Sequence, residues 1–523
     1  MKKTLIRIMA MVFVVLLAVS VTGCRKNPTS YSYYLSEEYV VEGTGTNKGD
    51  KTDKTDKTDD ASSAGKQDSS SKGQGTTSAV KDKEGRTIVK VAVSTWRPTD
   101  YAPLFDALAK KYPKIKVQLD YYSDPNSQQY IVAKSAIGQL PDVVFDDIAN
   151  ISLYVGQGLV YPITKYVNAD PEYKYVPASI MSDYTFGGDV FALPHQAYFT
   201  CLTLNTDILD ALNVDIPKLD WNFNDMVEFA KKVSNDEYLF CEHLNYLDYY
   251  ASGSFSKDAS LCGYNIKTRK YEMTNSFAKA WKVFQELRKT PNVEGYALKL
   301  ANKYQSRYGS TADWTAFKLG KAVVMDFEKG TYSFNGDNGY KDVIKGTNWV
   351  FHPYPQEFKG RMPVHIDHAF MLADTKVPDE AFKVLSFLTY SAEGNTARIN
   401  AYTDKAKGKT KYNLNLDYYT PLTTHPDVVA AIKKLYADDE VQMYFYNNIA
   451  NCFRGDLDKF VPHWGQHWAD SINPTAMKVQ DGAKDPDATA KDLQSKATSS
   501  LAEYWKDFDK QLAEFQKKWK ASH

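Results

Sequence analysis

His463 and His467 stand four positions apart, the spacing at which one helix face presents two imidazoles to a single zinc ion. Zinc-dependent hydrolysis also needs a glutamate directly after the first histidine as general base, and Trp464 fills that place. His365-Ile366-Asp367-His368 offers a second set of ligand atoms, yet no third, distant partner is evident in the sequence. The chain has no GxSxG nucleophile elbow, no GxxxxGKS or GxxxxGKT phosphate loop and no GxGxxG turn. Among 64 acidic residues a carboxylate pair for glycoside hydrolysis can always be chosen, and sequence spacing selects none. The residues therefore point away from catalysis, and no resident metal or cofactor is expected.

What remains is binding chemistry, and the elements decide which side chains can meet. Ile88-Val89-Lys90-Val91-Ala92-Val93 reads as a strand that ends at Ser94-Thr95-Trp96. Thr99 and Asp100 then read as the cap of a helix whose Tyr101, Leu104, Phe105 and Leu108 share one face, and Pro113 stops it. Ile115, Val117 and Leu119 alternate as the next strand, which makes a βαβ unit with a parallel sheet. A helix over 129–137 ends near Gly138. Val143-Val144-Phe145 follows as a short buried strand, and another helix runs on to the Gly156–Gly158 region. Ligands of open parallel sheets bind outside the carboxyl ends of the strands. Trp96 after the first strand, and Asp146 with Asp147 after the third, thus converge on one crevice. The aspartates either contact a ligand there or cap the helix that follows.

Residues 87–523 have ordinary globular composition: the chain is 43% hydrophobic and 24% charged, with an unusually high 14% of aromatic residues. That length predicts more than one lobe. The formal net charge of zero argues against nucleic acid as a partner. The 37 tyrosines offer apolar faces with polar handles, suited to gripping a polyhydroxylated ligand as well as to packing. Of the cysteines, Cys201, Cys241, Cys262 and Cys452 are sparse and irregularly spaced, which predicts free buried thiols; a Cys241–Cys262 bridge would close a short loop. The first residues differ sharply from this. Lys2, Lys3 and Arg7 precede an apolar run from Ile8 to Val21, too short to span ~30 Å of hydrocarbon, so it reads as a signal sequence. Val21-Thr22-Gly23-Cys24 resembles a bacterial lipobox, in which Cys24 is lipidated. From Arg25 to Arg86 come three Lys-Thr-Asp repeats and Ser-rich and Gly-rich runs, which predict a disordered tether of reach ~45 Å.

The order of segments is similar to that of extracellular solute-binding proteins of carbohydrate ABC transporters, the maltodextrin-binding type, across most of residues 88–520. The likeness rests on Tyr112-Pro113-Lys114-Ile115-Lys116-Val117, on Gly138-Gln139-Leu140-Pro141-Asp142-Val143-Val144-Phe145, and on Gly158-Leu159-Val160-Tyr161-Pro162-Ile163. It continues through Gly188-Asp189-Val190-Phe191-Ala192-Leu193-Pro194, Leu202-Thr203-Leu204-Asn205-Thr206-Asp207, Asp220-Trp221-Asn222-Phe223 and Phe317-Lys318-Leu319-Gly320-Lys321-Ala322. One departure is Met362-Pro363-Val364-His365, where the family has Gly-Gly before its return strand. The resemblance implies an α/β, two-lobed, periplasmic-binding-protein-like fold with a hinge and a ligand cleft between the lobes. It implies a first lobe from 87–197, a second from 198–350, a return to the first over 351–405, and mainly second-lobe helices over 406–523, after a signal peptide (1–23) and a lipidated linker (24–86).

The resemblance also implies a neutral oligosaccharide as ligand, an ABC permease as partner, and a monomer lipid-anchored at the outer face of the cytoplasmic membrane, as in a Gram-positive bacterium. Acidic oligosaccharides, peptides and a glycan-active surface enzyme are the alternatives; Arg97, Arg361 or Arg454 in the cleft would favour acidic sugars. Tyr198 at the crossover, Tyr332 after the Gly-Lys-Ala strand, and His365 and Asp367 on the return segment are the implied ligand residues. Trp464 and Trp468, one helical turn apart, join them from the C-terminal part, with Glu242 and Trp314 as weaker candidates.

Overall fold

The computed structural model describes residues 80–94, 98–122, 127–242, 244, 247–312, 315–327, 348–414, 419–480 and 482–522. Cys24, the signal segment, the tether as far as residue 79, Trp96, Arg97, Trp314 and Tyr332 lie outside them. The expected tether ends earlier than Arg86, because Asp82 accepts hydrogen bonds from the Glu84 and Arg86 backbone and pairs with the Arg86 guanidinium at 2.7 Å, closing a turn through Gly85.

The chain opens with β1 (Thr87–Ser94), α1 (Ala102–Lys111), β2 (Ile115–Tyr122), α2 (Gln128–Ala136) and β3 (Val143–Asp147). β1 pairs parallel with both β2 and β3, so the βαβ reading holds. The start of α1 differs from expectation. A 3-10 turn over Pro98–Tyr101 leads into the helix, and Pro103 in its first turn presets φ in place of a side-chain cap. A short helix α3 (Ile151–Gly156) follows β3, capped by the Asn150 side chain. Asp146 and Asp147 are the last residues of β3.

The hairpin β4 (Thr185–Phe186) and β5 (Asp189–Val190) leads into β6 (Leu193–Phe199). Thr200 alone separates β6 from β7 (Cys201–Asn205), and the two strands lie in different sheets. The second sheet adds β8 (Leu239–Cys241), β11 (Ala322–Phe327) and β12 (Trp349–Pro353), in the order β12-β7-β11-β8. Between its strands run α4 (Phe223–Val233), α5 (Leu247–Ser254), the hairpin β9 (Tyr264–Asn265) and β10 (Lys270–Tyr271), and α6 (Phe277–Leu287). A reciprocal capping box between Asn222 and Asp225 starts α4, and its apolar face buries Phe223, Met226, Val227, Ala230 and Val233.

The chain returns to the first sheet through β13 (Pro363–Met371), antiparallel to β3 on one edge and β6 on the other. Every residue of β13 is buried, as expected for a central strand. Pro194 of β6 lies where the β6–β13 register shifts, a place where a strand tolerates a missing donor. Helices α7 (Pro378–Thr389) and α8 (Ala392–Ala406) follow, then β14 (Phe453–Arg454), which pairs with the start of β13 beyond the end of β3. The chain closes with α9 (Pro486–Ser522), a single 37-residue helix. Cys201, Cys241 and Cys262 are buried and Cys452 is half-buried.

Candidate ligand-binding site at the lobe junction

Strand register decides what meets at the carboxyl end of the first sheet. Val93 of β1 lies beside Phe145 of β3, and Ser94 beside Tyr122, so β1, β2 and β3 end together. Asp147 lies opposite His368 of β13. Reading β13 backwards from there, Asp367 is opposite Gln196 and His365 opposite Tyr198 of β6. Asp146, Asp147, Tyr198, His365 and Asp367, scattered over more than two hundred positions of sequence, thus share one end of one sheet. Trp96 is two positions beyond Ser94 in the chain.

The same end carries a buried ion cluster that sequence reading missed. The Arg454 guanidinium meets Asp456 Oδ1 at 2.7 Å and Asp183 Oδ2 at 3.2 Å. Lys459 Nζ donates to Asp367 Oδ1 at 2.6 Å and to the Ile366 carbonyl at 3.0 Å, and lies 3.2 Å from Asp456 Oδ2. Asp456 in turn accepts the Ile366 N–H at 2.7 Å. Three carboxylates therefore face two cations. Burial pushes the Asp183 carboxyl up to about 6, with Asp456 adding to the shift, although Arg454 pulls the other way. Burial alone would raise Asp456 too, but Arg454, Lys459 and His365 outweigh it and hold its carboxyl below the usual range. Burial, with Lys459 nearby, lowers His368 to about 3. A signal was present in Phe453-Arg454-Gly455-Asp456-Leu457, charges set among apolar residues, but nothing in it names Asp183 as partner.

The predicted ligand residues divide by burial. Tyr198, His365 and Asp367 are at most 5% exposed. His365 Nε2 lies 3.4 Å from the hydroxyl of Tyr250 on α5, so this side chain touches an element of the second half of the molecule. Trp464 packs against both Tyr264 and Tyr271 of the β9–β10 hairpin, and Trp468 lies edge-on to Tyr249. His467 donates to or accepts from the Tyr271 hydroxyl at 2.9 Å, and burial lowers it to about 4. Glu242 is buried and accepts from Tyr304 and the Phe317 N–H. Arg361 spends its donors on the carbonyls of Ser256, Ala259, Asn451 and Cys452. Arg398, also missed, is wholly buried over the Tyr419 ring and bonded to His195 and Gln196.

Two α/β halves joined at Thr200, over Pro353–Pro363 and again before β14 form the frame of a hinged binder. A model of the bacterial extracellular solute-binding protein family matches residues 103–404, more than half of the chain. The chain belongs to that family. Solved structures agree on the fold of this solute-binding protein: two lobes on the periplasmic-binding-protein plan. An ABC substrate-binding protein of Listeria monocytogenes in complex with cycloalternan is 13% identical with a TM-score of 0.55, covering 80% of this chain and 99% of that one. A sugar transporter from Rhizobium etli in an open conformation is 17% identical, TM-score 0.58, covering 79% and 99%. The sugar-binding protein MalE of Xanthomonas citri is 14% identical, TM-score 0.56, covering 80% and 98%. No curated relative of the solute-binding protein was found.

Proposed function

We propose that this solute-binding protein captures a neutral oligosaccharide between its lobes and delivers it to an ABC permease, tethered to the outer face of the cytoplasmic membrane through lipidated Cys24. The reading is carried by one observation: the register that gathers Asp146, Asp147, Tyr198, His365 and Asp367 at the carboxyl end of the first sheet, beside the Thr200 crossing. Sugar ring faces stack on Trp96 and Tyr332. Hydroxyls donate to the Asp146 and Asp147 carboxylates, a charge-assisted contact roughly twice as strong as a neutral one. Tyr198, His365 and Asp367 form the wall behind them, at the place where closure brings the two halves together. Trp464 and Trp468 support the second-lobe side of the site.

A neutral ligand is favoured over an acidic one because, of the arginines that would favour acidic sugars, the two among the described residues, Arg361 and Arg454, are already engaged, by carbonyls and by carboxylates. Cycloalternan in the Listeria monocytogenes complex, and the description of the Xanthomonas citri protein as sugar-binding, support the ligand class. The test is a thermal-shift panel of neutral plant and storage oligosaccharides, acidic oligosaccharides and peptides. A ligand that binds only the folded state raises the melting temperature by linkage. A shift with a neutral oligosaccharide, without release of new sugar ends, is expected. A shift confined to acidic glycans or peptides, or turnover of the glycan, would replace the reading.

A further inference from the structure

The long C-terminal helix α9 touches both halves of the molecule. Its first part belongs with the second sheet: Lys282 of α6 pairs with Asp487, the Tyr271 N–H reaches Thr498, and the Trp505 indole donates to the Tyr264 hydroxyl at 2.8 Å. Arg269 lies 3.8 Å over the Trp505 ring and pairs with Asp509 at 2.7 Å. Its last three turns lie on the first-sheet side. Phe508 meets Phe186 edge-on, and Phe515 lies against Phe191. The Gln516 amide donates to the Asp189 carboxylate at 2.7 Å and to the Gly187 carbonyl, while Trp519 meets Tyr161 edge-on. A Cβ on Gly158 would stand 2.8 Å from the Phe515 ring, so the helix end is closely seated.

No glycine or proline interrupts the chain from Asp487 to Ser522, a rod of about 55 Å at 1.5 Å per residue, and such a helix does not kink cheaply. A rod seated on both lobes opposes their relative rotation. The two seats are unequal. Leu493, Ala497, Leu501 and Trp505 are buried on the second-sheet side; on the first-sheet side Phe508 and Leu512 are buried too, but the terminal Phe515, Gln516 and Trp519 are only half-buried.

We infer that α9 is a splint across the hinge: fixed to the second lobe, it limits lobe rotation through a releasable seat formed by Phe508, Leu512, Phe515, Gln516 and Trp519 on the first. The inference rests on the hinged-binder reading but not on the identity of the ligand. Its test is the distribution of distances between spin labels at Lys110→Cys on α1 and Lys232→Cys on α4, measured in the full chain without ligand. The chain lacking both substitutions is the labelling control. The double variant Phe515→Ala/Trp519→Ala should broaden the distribution and move its mean by several ångströms, and Gln516→Ala should broaden it less. An unchanged distribution in the double variant, with its melting transition retained, overturns the splint. A double variant that loses its melting transition shows instead that the seat is a folding contact, and overturns it as well, unless Gln516→Ala, still folded, broadens the distribution. Failure of every glycan to bind would remove the sugar reading while leaving a broadened distribution in place.

Discussion

Lys459 shows what a single side chain does at this junction. It is 4% exposed on its side chain, and its ammonium serves two carboxylates and a carbonyl. Removing one member of a buried ionic network strands the others, at a cost of about 3–5 kcal/mol. Lys459→Met should therefore lower stability by that amount in denaturant titration; a loss within ordinary surface-mutation scatter would mean that water already reaches Asp367 and Asp456. Tyr332 is the opposite case, proposed to serve the ligand rather than the fold. Tyr332→Ala should weaken glycan affinity by roughly tenfold or more, ~1.4 kcal/mol, with the melting temperature of the free protein unchanged. Equal affinity in a calorimetric titration would take the ring out of the site.

At the scale of elements, legibility followed periodicity. β1, α1, β2 and β3 could be read because alternating or helical apolar patterns lie between Gly and Pro punctuation, and the Asp220-Trp221-Asn222-Phe223 segment of the likeness leads into α4, where Asn222 and Asp225 form a capping box. Asn222→Ala removes a reciprocal cap and should cost about 1 kcal/mol, seen as a lower unfolding midpoint; no change would show that tertiary packing alone sets the start of α4. The junction was less legible. Pattern shows that Leu493, Ala497, Leu501, Trp505, Phe508 and Leu512 face something, but not that the covering surface changes from one lobe to the other along the helix. Likewise His365 and Asp367 were recognisable as residues at a crossing, while their burial depends on Tyr250 and Lys459, which no local spacing connects to them.

The whole molecule carries its acid sensitivity in buried histidines. His352, His368 and His467 all have imidazoles lowered by burial, His368 to about 3 and His467 to about 4. A lowered histidine contributes stability that is present above ~6.5 and lost as pH falls through its folded value. Asp183 acts in the other direction: raised to about 6, its protonated form is favoured in the fold, and that contribution is lost as pH rises through 6. Between pH 6.5 and 4.5 the histidines outnumber it, so the melting temperature should fall with pH across that window. A flat profile there would contradict their burial.

On the proposed reading the two lobes, joined at Thr200, over Pro353–Pro363 and before β14, close over a ligand held at the strand ends. Small-angle X-ray scattering, with and without the glycan giving the largest thermal shift, tests that most directly. Saturating glycan should reduce the radius of gyration and sharpen the profile toward that of a closed pair of lobes. A glycan that binds saturably while leaving the scattering profile unchanged would contradict capture by hinged closure.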